Sequence, residues 1–295
     1  MAEYPIFIVD AFTNVAYAGN PAAVVFDADG LSDVQMQSIA REMNLSETAF
    51  VQTSSVANFR VRFFTPAKEI PLAGHPTIAT MHALVEEGLI ALEAAPLRVT
   101  QELMVGVLPV DLARRGGITT IVMTQARLAF GDDISVDAIA PVLGILPADL
   151  VPGVPCSVVS TGTPQAMVPV RSIDVLRRLS PDTRAMAELE QRHKFFSVHV
   201  FAMEAMDPAN ATHARHFAAG AGIAEDPVTG SATGGMGAYL WKHGLLRVPR
   251  FRAEQGHLMG RPGVVSVEVE GTGDIPTVVR ISGTATTVLR GTIRV

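Results

Sequence analysis

The sequence predicts a protein of mixed α and β structure that consists of two similar units. Short motifs occur twice in the same order, and β-branched runs of strand length alternate in both halves with amphipathic helical segments. With 295 residues, of which 48% are apolar, the chain is long enough to bury the cores of two ordinary domains.

The first repeated motif is a glycine that opens a helical segment. Gly74-His-Pro-Thr77 precedes an apolar helical pattern that ends at Gly88. Gly230-Ser-Ala-Thr233 precedes a second pattern that ends at Gly244. Both patterns therefore have the same length between their glycines, and they indicate one helix in each half of the chain.

Two further matches lie upstream of these helices. Gly19-Asn-Pro-Ala-Ala-Val-Val25 matches Gly162-Thr-Pro-Gln-Ala-Met-Val168 in its glycine, proline, alanine and final valine. An Arg-x-Phe segment precedes each helix, at residues 62–64 and 215–217. The common order of the motifs predicts a duplicated unit that runs turn, strand, helix, strand, turn and helix.

The polar, glycine-rich residues 114–117 near the midpoint are the best boundary between the repeats. We predict an N-terminal domain of residues 1–117 and a C-terminal domain of residues 118–283, with the last strand, residues 284–295, returning to the first domain. Predicted strands cover 7–10, 22–26, 49–51, 58–64, 97–101, 105–110, 118–123, 157–160, 166–170, 197–202, 214–217, 264–270, 278–282 and 286–293. Predicted helices cover 32–43, 75–87, 136–143, 173–179, 182–191 and 231–243.

The composition excludes several classes of function. The net charge is −6, and no stretch combines Lys and Arg with aromatic residues, so we expect no nucleic-acid partner. No uncharged apolar span reaches about 18 residues, and the acidic N-terminus does not resemble a signal peptide, so we expect no membrane association. The single Cys156 excludes an internal disulfide and a cysteine-based metal site, which suits a cytoplasmic location.

The two helix openings are candidate anion sites. Gly74 and Gly230 let the backbone approach a ligand closely, and a helix N-terminus offers free N–H groups together with a partial positive charge. If a pseudo-twofold axis relates the repeats, both openings can face a cleft between the domains and bind one carboxylate-bearing substrate there. Two ordinary helix caps on a glycine-rich surface are the alternative.

Few ionisable groups lie at these openings. They are His75, Asp226 and Ser231. Upstream of the first opening, Glu47 follows an amphipathic helical segment and starts an apolar strand, where burial would bring its pKa toward the range useful for proton transfer. Glu47 is thus the best candidate for a general acid or base outside the openings, although a solvated glutamate at a strand end would look the same.

Taken together, the motifs resemble those of the PhzF-like isomerases over nearly the whole chain. The motifs are Asp10-Ala-Phe-Thr, Ala18-Gly-Asn-Pro21, Leu45-Ser-Glu-Thr-Ala-Phe-Val51, Phe64-Thr-Pro66, Ala73-Gly-His-Pro-Thr77, Glu225-Asp-Pro-Val-Thr-Gly-Ser-Ala232, Gln255-Gly256 and Met259-Gly-Arg261. The resemblance implies the fold class α+β, with two pseudo-symmetric domains of the diaminopimelate-epimerase-like fold. Each domain would be a curved, mostly antiparallel sheet around a central helix, and the protein would be a homodimer.

The resemblance also implies roles for individual residues. Glu47 would move a proton between carbons of a small carboxylate such as trans-2,3-dihydro-3-hydroxyanthranilate, assisted by Asp226 and His75. The substrate would be held by Ser46, Gly74, Gly230 and Ser231. This chemistry needs no metal and no organic cofactor, because the conjugation of the substrate spreads the developing charge. Racemases of this fold use two cysteines at the openings, and a chain with one cysteine cannot use that mechanism.

Two other hypotheses stay open on the sequence. One is a non-catalytic protein of the same fold that binds small anions or a partner. The other is a hydrolase with Ser231, His75 and Asp226 as its triad, although Ser231 lacks the G-x-S-x-G context of such nucleophiles. Residues 91–117 and 132–155 carry no motif, so the sequence does not identify the substrate.

Overall fold

The structure, a computed structural model, describes residues 1–93 and 95–295, with only the backbone at Arg115. The strands are β1 (Glu3–Ala11), β2 (Asn20–Val25), β3 (Thr48–Gln52), β4 (Phe59–Phe64), β5 (Glu69–Ile70), β6 (Leu97–Leu103), β7 (Gly106–Arg115), β8 (Ile118–Thr124), β9 (Ala129–Ile134), β10 (Cys156–Ser160), β11 (Pro164–Val170), β12 (Ser197–Ala202), β13 (Thr212–Ala218), β14 (Ile223–Asp226), β15 (Arg250–Gln255), β16 (Gly263–Thr272), β17 (Ile275–Gly283) and β18 (Ala285–Arg294). The α-helices are α1 (Asp33–Met43), α2 (His75–Glu86), α3 (Val136–Val142), α4 (Ile173–Arg178), α5 (Thr183–His193) and α6 (Gly230–Lys242).

The chain forms two compact units. Unit 1 comprises Met1–Met123 and Ser282–Val295, and unit 2 comprises Thr124–Ile281. The sequence-based boundaries lie at residues 117 and 283. The first division comes after β8 rather than before it because β8 pairs antiparallel with β7, with Thr120 opposite Ala113. At the other end of the chain, β18 pairs antiparallel with β1 in unit 1.

Unit 1 is a mostly antiparallel sheet with a helix on each face. Strand β2 runs parallel to β3, and β4 runs parallel to β6, while β1–β2, β3–β4, β6–β7 and β7–β8 are antiparallel pairs. On one face, Met36 and Ala40 of α1 pack with Ala23, Val25 and Phe50 in one apolar cluster. On the other side lies α2, nine of whose twelve residues are buried. Since α2 is apolar on all sides, it must lie inside the unit.

Unit 2 repeats this topology. Strand β11 runs parallel to β12, β13 runs parallel to β15, and β10–β11, β12–β13 and β15–β16 are antiparallel pairs. The central helix is α6, with ten of its thirteen residues buried. Helices α4 and α5 stand between β11 and β12, where unit 1 has α1. The predicted α+β fold class with two similar domains is therefore confirmed.

The sequence did not predict β5, β9, β14 and β15. Strands β5 and β14 are only two and four residues long, and β9 and β15 carry charged residues rather than an apolar run. Pairing with neighbouring strands defines these elements, and such pairing leaves no periodic signal in the local sequence. Within the described residues, no helix has the length and apolar character needed to cross a membrane.

Candidate functional site

The first candidate opening is the N-terminus of α2 in unit 1. The helix begins at His75, directly after Gly74, and Pro76 occupies its first turn. Thr77 Oγ1 donates a hydrogen bond of 2.8 Å to the carbonyl of Ala73 and fixes the preceding turn. The N-cap residue is Gly74, which has no side chain that could cap this N-terminus. The Thr77 N–H donates to the Gly74 carbonyl at 3.1 Å, and Pro76 has no N–H, so Gly74 and His75 carry the N–H groups that have no acceptor within the helix.

Glu47 lies beside this opening. Helix α1 ends at Asn44 in the left-handed conformation, and Ser46 and Glu47 follow in the bend that leads into β3. Nε2 of His75 lies 3.2 Å from Oε2 of Glu47, and the two side chains are 8% and 14% exposed. The structure thus brings together four predicted residues of unit 1, namely Ser46, Glu47, Gly74 and His75.

The imidazole of His75 is neutral at physiological pH. Burial lowers the pKa of His75 to about 3, against a smaller opposing effect of its hydrogen bond to the backbone carbonyl of Pro21. Because Nε2 faces Glu47, the nitrogen that donates to Pro21 is Nδ1. Nε2 therefore carries no hydrogen, and it can accept a hydrogen bond from Glu47 when that carboxyl is protonated. The contact at pH 7 is not an ion pair.

The Pro21 carbonyl is held in place by a tight loop. Asp10 is buried and accepts a hydrogen bond of 2.7 Å from the backbone N–H of Tyr17. Gly19 has a φ of 62°, and a Cβ atom there would lie 2.1 Å from the carbonyl oxygen of Ala11. Asp10 and the fully buried Asn20 belong to motifs that the sequence analysis quoted without assigning a role. The sequence signal that could have identified Asp10 and Asn20 is the position of a polar residue inside or next to an apolar strand.

The second candidate opening is the N-terminus of α6 in unit 2. This helix begins at Gly230, one residue earlier than predicted, and no side chain among the described residues caps it at Thr229. Ser231 lies in the first turn, and its Oγ accepts a hydrogen bond of 3.3 Å from Nε2 of Gln165. The structure therefore places Gly230 and Ser231 together at this opening.

Asp226 ends β14, four residues before Gly230. Its Oδ2 accepts a short hydrogen bond from Oγ1 of Thr229. The side-chain amide of Gln255 spans the same loop, because its Nε2 donates to the Asp226 carbonyl at 2.7 Å and its Oε1 accepts from the Thr229 N–H at 3.1 Å. Asp226 is 8% exposed. Gln255 belongs to the Gln255-Gly256 motif, but no local sequence pattern signals that its amide braces this loop.

The glycine that follows Gln255 completes the brace. Gly256 has a φ of 85°, and a Cβ atom there would lie 2.2 Å from the Arg261 carbonyl oxygen and 2.7 Å from that of Pro227. Only glycine allows this close approach of three backbone segments. This accounts for the Gln255-Gly256 motif.

An arginine–glutamate pair supports each opening in the same way. Arg62 binds Glu69 through two hydrogen bonds of 2.7 Å, and Arg215 binds Glu225 through two of 2.8 and 2.7 Å. Each glutamate lies five residues before the glycine that opens the central helix. Each guanidinium also stacks on a phenylalanine two residues later, at 5.2 and 5.1 Å from the ring centre. The Arg-x-Phe repeat is therefore a structural support of both openings.

The other long helices differ from the central helices at their N-termini. Ser32 caps α1 through the backbone N–H of Gln35, and Asp182 caps α5 through the N–H groups of Arg184 and Ala185. Among the four helices of eleven or more residues in the described part of the chain, the N-cap side chain makes a capping hydrogen bond in α1 and α5 but not in α2 and α6, while the short α3 and α4 also lack one. This difference favours binding of an anion at the central helices.

One further cluster contains metal-ligating side chains. His213, Glu254 and His257 bring one ligand atom each within 4.8 Å of one another. Glu254, however, already accepts hydrogen bonds from His213, from Asn210 and from the N–H groups of Met206 and Asp207. Burial opposes its ionisation, but these bonds together lower the pKa of Glu254 to about 2. With its oxygens used in this way, Glu254 anchors the loop before β13 rather than offering a metal site.

The comparisons with known proteins agree over nearly the full length of the chain. Residues 9–291 match the family model described as phenazine biosynthesis-like protein. A Clostridium acetobutylicum protein named as an uncharacterized isomerase is 38% identical, with 98% of this chain and 97% of the relative covered. The trans-2,3-dihydro-3-hydroxyanthranilate isomerase of Pseudomonas chlororaphis is 34% identical, with 97% of this chain and 98% of the relative covered.

Solved structures give the same assignment. The PhzF-family protein of Bacillus anthracis superposes with a TM-score of 0.91 at 36% identity, and both chains are covered completely. A probable proline racemase of Agrobacterium radiobacter, at 13% identity, has a TM-score of 0.67, with 99% of this chain and 92% of that chain covered, which shows a shared fold alone. The chain belongs to the PhzF family of phenazine biosynthesis-like proteins, because its motifs, its duplicated topology and these matches all agree.

Proposed function

We propose that the protein is an isomerase that moves a proton between carbons of a small carboxylate-bearing substrate, with Glu47 as general acid and base. The observation that carries this proposal is the pair of Glu47 and His75 at the opening of α2. A mostly buried carboxyl beside a neutral imidazole can hold and release a proton without building up a second charge. The isomerase names of the relatives support the reaction class.

The substrate carboxylate is proposed to bind at the uncapped helix N-termini. Gly74 supplies backbone N–H groups in unit 1, with Ser46 nearby, and Gly230 and Ser231 supply them in unit 2. The positive end of each helix favours a negative charge there. That one substrate uses both openings stays a prediction from the duplication in the sequence.

Asp226 is proposed as the second acid–base group. Its carboxylate is held by Thr229, and its loop is braced by Gln255, so its orientation is defined before any substrate binds. The reaction proposed here asks for no metal or organic cofactor. A carbanion next to a conjugated system is stabilised by the substrate, and the protein needs only to position the groups and transfer the proton.

The hydrolase alternative has less support. A triad requires both nitrogens of its histidine, one for the serine and one for the carboxylate. Both nitrogens of His75 have neighbours in unit 1, namely Glu47 and the Pro21 carbonyl. A non-catalytic anion-binding protein keeps the helix openings but has no use for the Glu47–His75 pair.

Assembly and location are further proposals. We expect a homodimer, which size-exclusion chromatography with light scattering would test, and a cytoplasmic location. The second expectation rests on the single Cys156, which excludes an internal disulfide. Its buried thiol has a pKa raised by desolvation to about 12 and is therefore unreactive.

The proposal is tested by deuterium incorporation. The enzyme is incubated in deuterated water with trans-2,3-dihydro-3-hydroxyanthranilate, the substrate named for a relative, and with a panel of small cyclic and acyclic carboxylates. Mass spectrometry then measures deuterium at carbon. We expect Glu47→Gln to abolish incorporation while the exposed carboxyl variant Glu42→Gln retains it. Unchanged incorporation in Glu47→Gln would remove Glu47 from the mechanism.

A further inference from the structure

The strand registers match the two units residue by residue. In unit 1, Ala49 of β3 lies opposite Phe63 of β4. At the same place in unit 2, His199 of β12 lies opposite His216 of β13. The place that holds two apolar residues behind the first opening therefore holds two histidines behind the second.

The difference extends to the next strand. Phe63 of β4 lies opposite Ile70 of β5 in unit 1, and His216 of β13 lies opposite Asp226 of β14 in unit 2. Residues directly opposite each other in an antiparallel pair project from the same face, with Cβ atoms about 5 Å apart. His199, His216 and Asp226 therefore form a row across three neighbouring strands.

This row faces the central helix. Phe201 lies two residues after His199 on the same face of β12, and its ring packs 5.7 Å from the ring of Tyr239 in α6. Both histidines are at most 2% exposed, and their Nδ1 atoms are 3.3 Å apart. Burial lowers the pKa of His216 to about 3 and that of His199 well below its usual value. The two rings are therefore neutral, and one Nδ1 donates a hydrogen bond to the other.

Polar atoms continue from this pair toward the start of α6. Gln165 of β11 is paired with Ser197 of β12, and its Nε2 donates to Ser231. The Gln165 Oε1, Ser197 Oγ and His199 Nε2 atoms are buried and have no hydrogen-bond partner within the described residues. Three such atoms on one face of two paired strands are the partners that a buried water requires.

We define the buried polar chain as six side chains, two pairs of which are hydrogen-bonded (His199 with His216, Gln165 with Ser231), while strand register places Asp226 opposite His216 and Ser197 beside Gln165. We propose that His199 and His216 are positioning residues for Asp226, acting through this chain. Because Nδ1 of His216 faces β12, its Nε2 is the nitrogen available to Asp226 on the opposite neighbouring strand. With the hydrogen on Nε2, His216 donates to the Asp226 carboxylate and accepts from His199.

The resulting arrangement leaves Nε2 of His199 as an acceptor, and a water that donates to it and to Oε1 of Gln165 while accepting from Ser197 would satisfy all three atoms. The chain thereby connects the two ends of the unit 2 opening, Asp226 before α6 and Ser231 in its first turn. Unit 1 carries apolar residues at four of the six corresponding places, namely Ala22, Ala49, Phe63 and Ile70, while Glu47 and His75 occupy the places of Ser197 and Ser231. The inference rests on the proposed function, in which Asp226 takes part in proton transfer.

The test uses the residues that unit 1 carries at the same places. We compare His216→Phe, His199→Ala and the conservative variant His216→Gln with wild type, and take His193→Gln on α5 as control. The rate of deuterium incorporation into trans-2,3-dihydro-3-hydroxyanthranilate is measured against substrate concentration. We expect kcat to fall at least tenfold in His216→Phe and His199→Ala with KM changed less than twofold. His216→Gln keeps a donor and should retain kcat within about threefold of wild type.

A second readout does not depend on turnover. Long-range ¹H–¹⁵N spectra of the histidine rings report which nitrogen carries the hydrogen. We expect the hydrogen of His216 on Nε2 in wild type, and a changed ¹⁵N shift of that ring in Asp226→Asn, while the His193 ring is unaffected. Far-ultraviolet circular dichroism confirms that each variant is folded.

The outcomes separate the two proposals. If wild type exchanges no carbon-bound proton of any substrate tested, the proposed function fails, and the ring spectra alone decide the positioning role. If the His216 ring carries its hydrogen on Nδ1, or its shifts are the same in Asp226→Asn and wild type, the positioning role is wrong. Full kcat in a folded His216→Phe variant would also overturn it.

Discussion

Nε2 of His75 lies 3.2 Å from Oε2 of Glu47, and the same imidazole donates a hydrogen bond to the carbonyl of Pro21. The first residue of the central helix is thereby tied to the bend before β3 and to the start of β2. Because burial keeps the ring neutral, Nε2 can accept a hydrogen bond from the protonated Glu47 carboxyl but offers no charge and no hydrogen to the ionised form. This relationship is the basis of the first prediction.

Replacing His75 by Leu should slow proton transfer while leaving unit 1 folded. The hydrogen bond that the neutral His75 ring can accept from the protonated Glu47 carboxyl joins two neutral groups and contributes about 0.5–1.5 kcal/mol, which corresponds to roughly twofold to tenfold in rate. The deuterium-incorporation rate measures this loss. The matched control is His82→Gln, because His82 contacts Glu86 further along the same helix. Equal effects of both substitutions would show that His75 acts only through the stability of α2.

Stability should decrease as the pH falls from 7 to 5. The folded-state pKa values of His75 and His216 are lowered by burial to about 3, whereas an unfolded histidine titrates near 6.5. Below pH 6.5 the unfolded chain binds more protons than the folded chain, so the free energy of unfolding falls with pH. Each buried histidine contributes a loss of about 2 kcal/mol between pH 7 and 5.

Urea unfolding at pH 7, 6 and 5 measures this dependence. Glu254 does not contribute in this window, because its pKa is lowered from 4.5 to about 2 and its effect appears only below pH 4.5. His216→Phe should flatten the pH dependence. A free energy of unfolding that stays constant from pH 7 to 5 would contradict the assignment of neutral, buried imidazoles.

Gly19→Ala should destabilise the protein strongly. The substitution places a methyl group 2.1 Å from the Ala11 carbonyl at a φ of 62°. The left-handed conformation costs about 1–2 kcal/mol for a residue with a side chain, and the steric overlap adds about 1–3 kcal/mol. Gly153→Ala isolates the first contribution, because Gly153 has a φ of 74° and no atom within 4 Å of the added methyl group. Urea denaturation should give a much lower free energy of unfolding for Gly19→Ala than for Gly153→Ala. Equal free energies for the two variants would exclude a role for the close approach of Gly19 to the Ala11 carbonyl.

Gln255→Leu should weaken substrate binding through the loop before α6. The variant leaves the Asp226 carbonyl and the Thr229 N–H without the amide that braces them, at a cost of about 1–3 kcal/mol. We expect the KM for the substrate, measured by deuterium incorporation, to rise severalfold. Gln52→Leu is the control, since Gln52 makes a single hydrogen bond of 3.0 Å to Ala28. An unchanged KM in Gln255→Leu would mean that this loop does not contribute to binding.

Local sequence predicted the helices and most strands well. Capping residues and 3.6-residue periodicity act over a few neighbouring positions, so the start of α1 at Ser32 and the glycine openings of α2 and α6 were readable. The strands β5 and β14 were not, because two to four residues carry no periodicity. These two strands matter because of the residues they position. Strand β5 places Glu69 where it accepts a hydrogen bond from Arg62, and β14 places Asp226 opposite His216.

The sequence by itself determined the duplication, the two helix openings and the candidate residues Glu47, His75 and Asp226. Only the tertiary structure decided which side chains meet. His75 meets Glu47 although the two residues are far apart in the chain. Strand register likewise places Ser197 of unit 2 where unit 1 has Glu47, and His216 where unit 1 has Phe63. A one-residue change in register would turn each side chain to the other face of the sheet, and that choice is made by packing against the central helix rather than by local sequence.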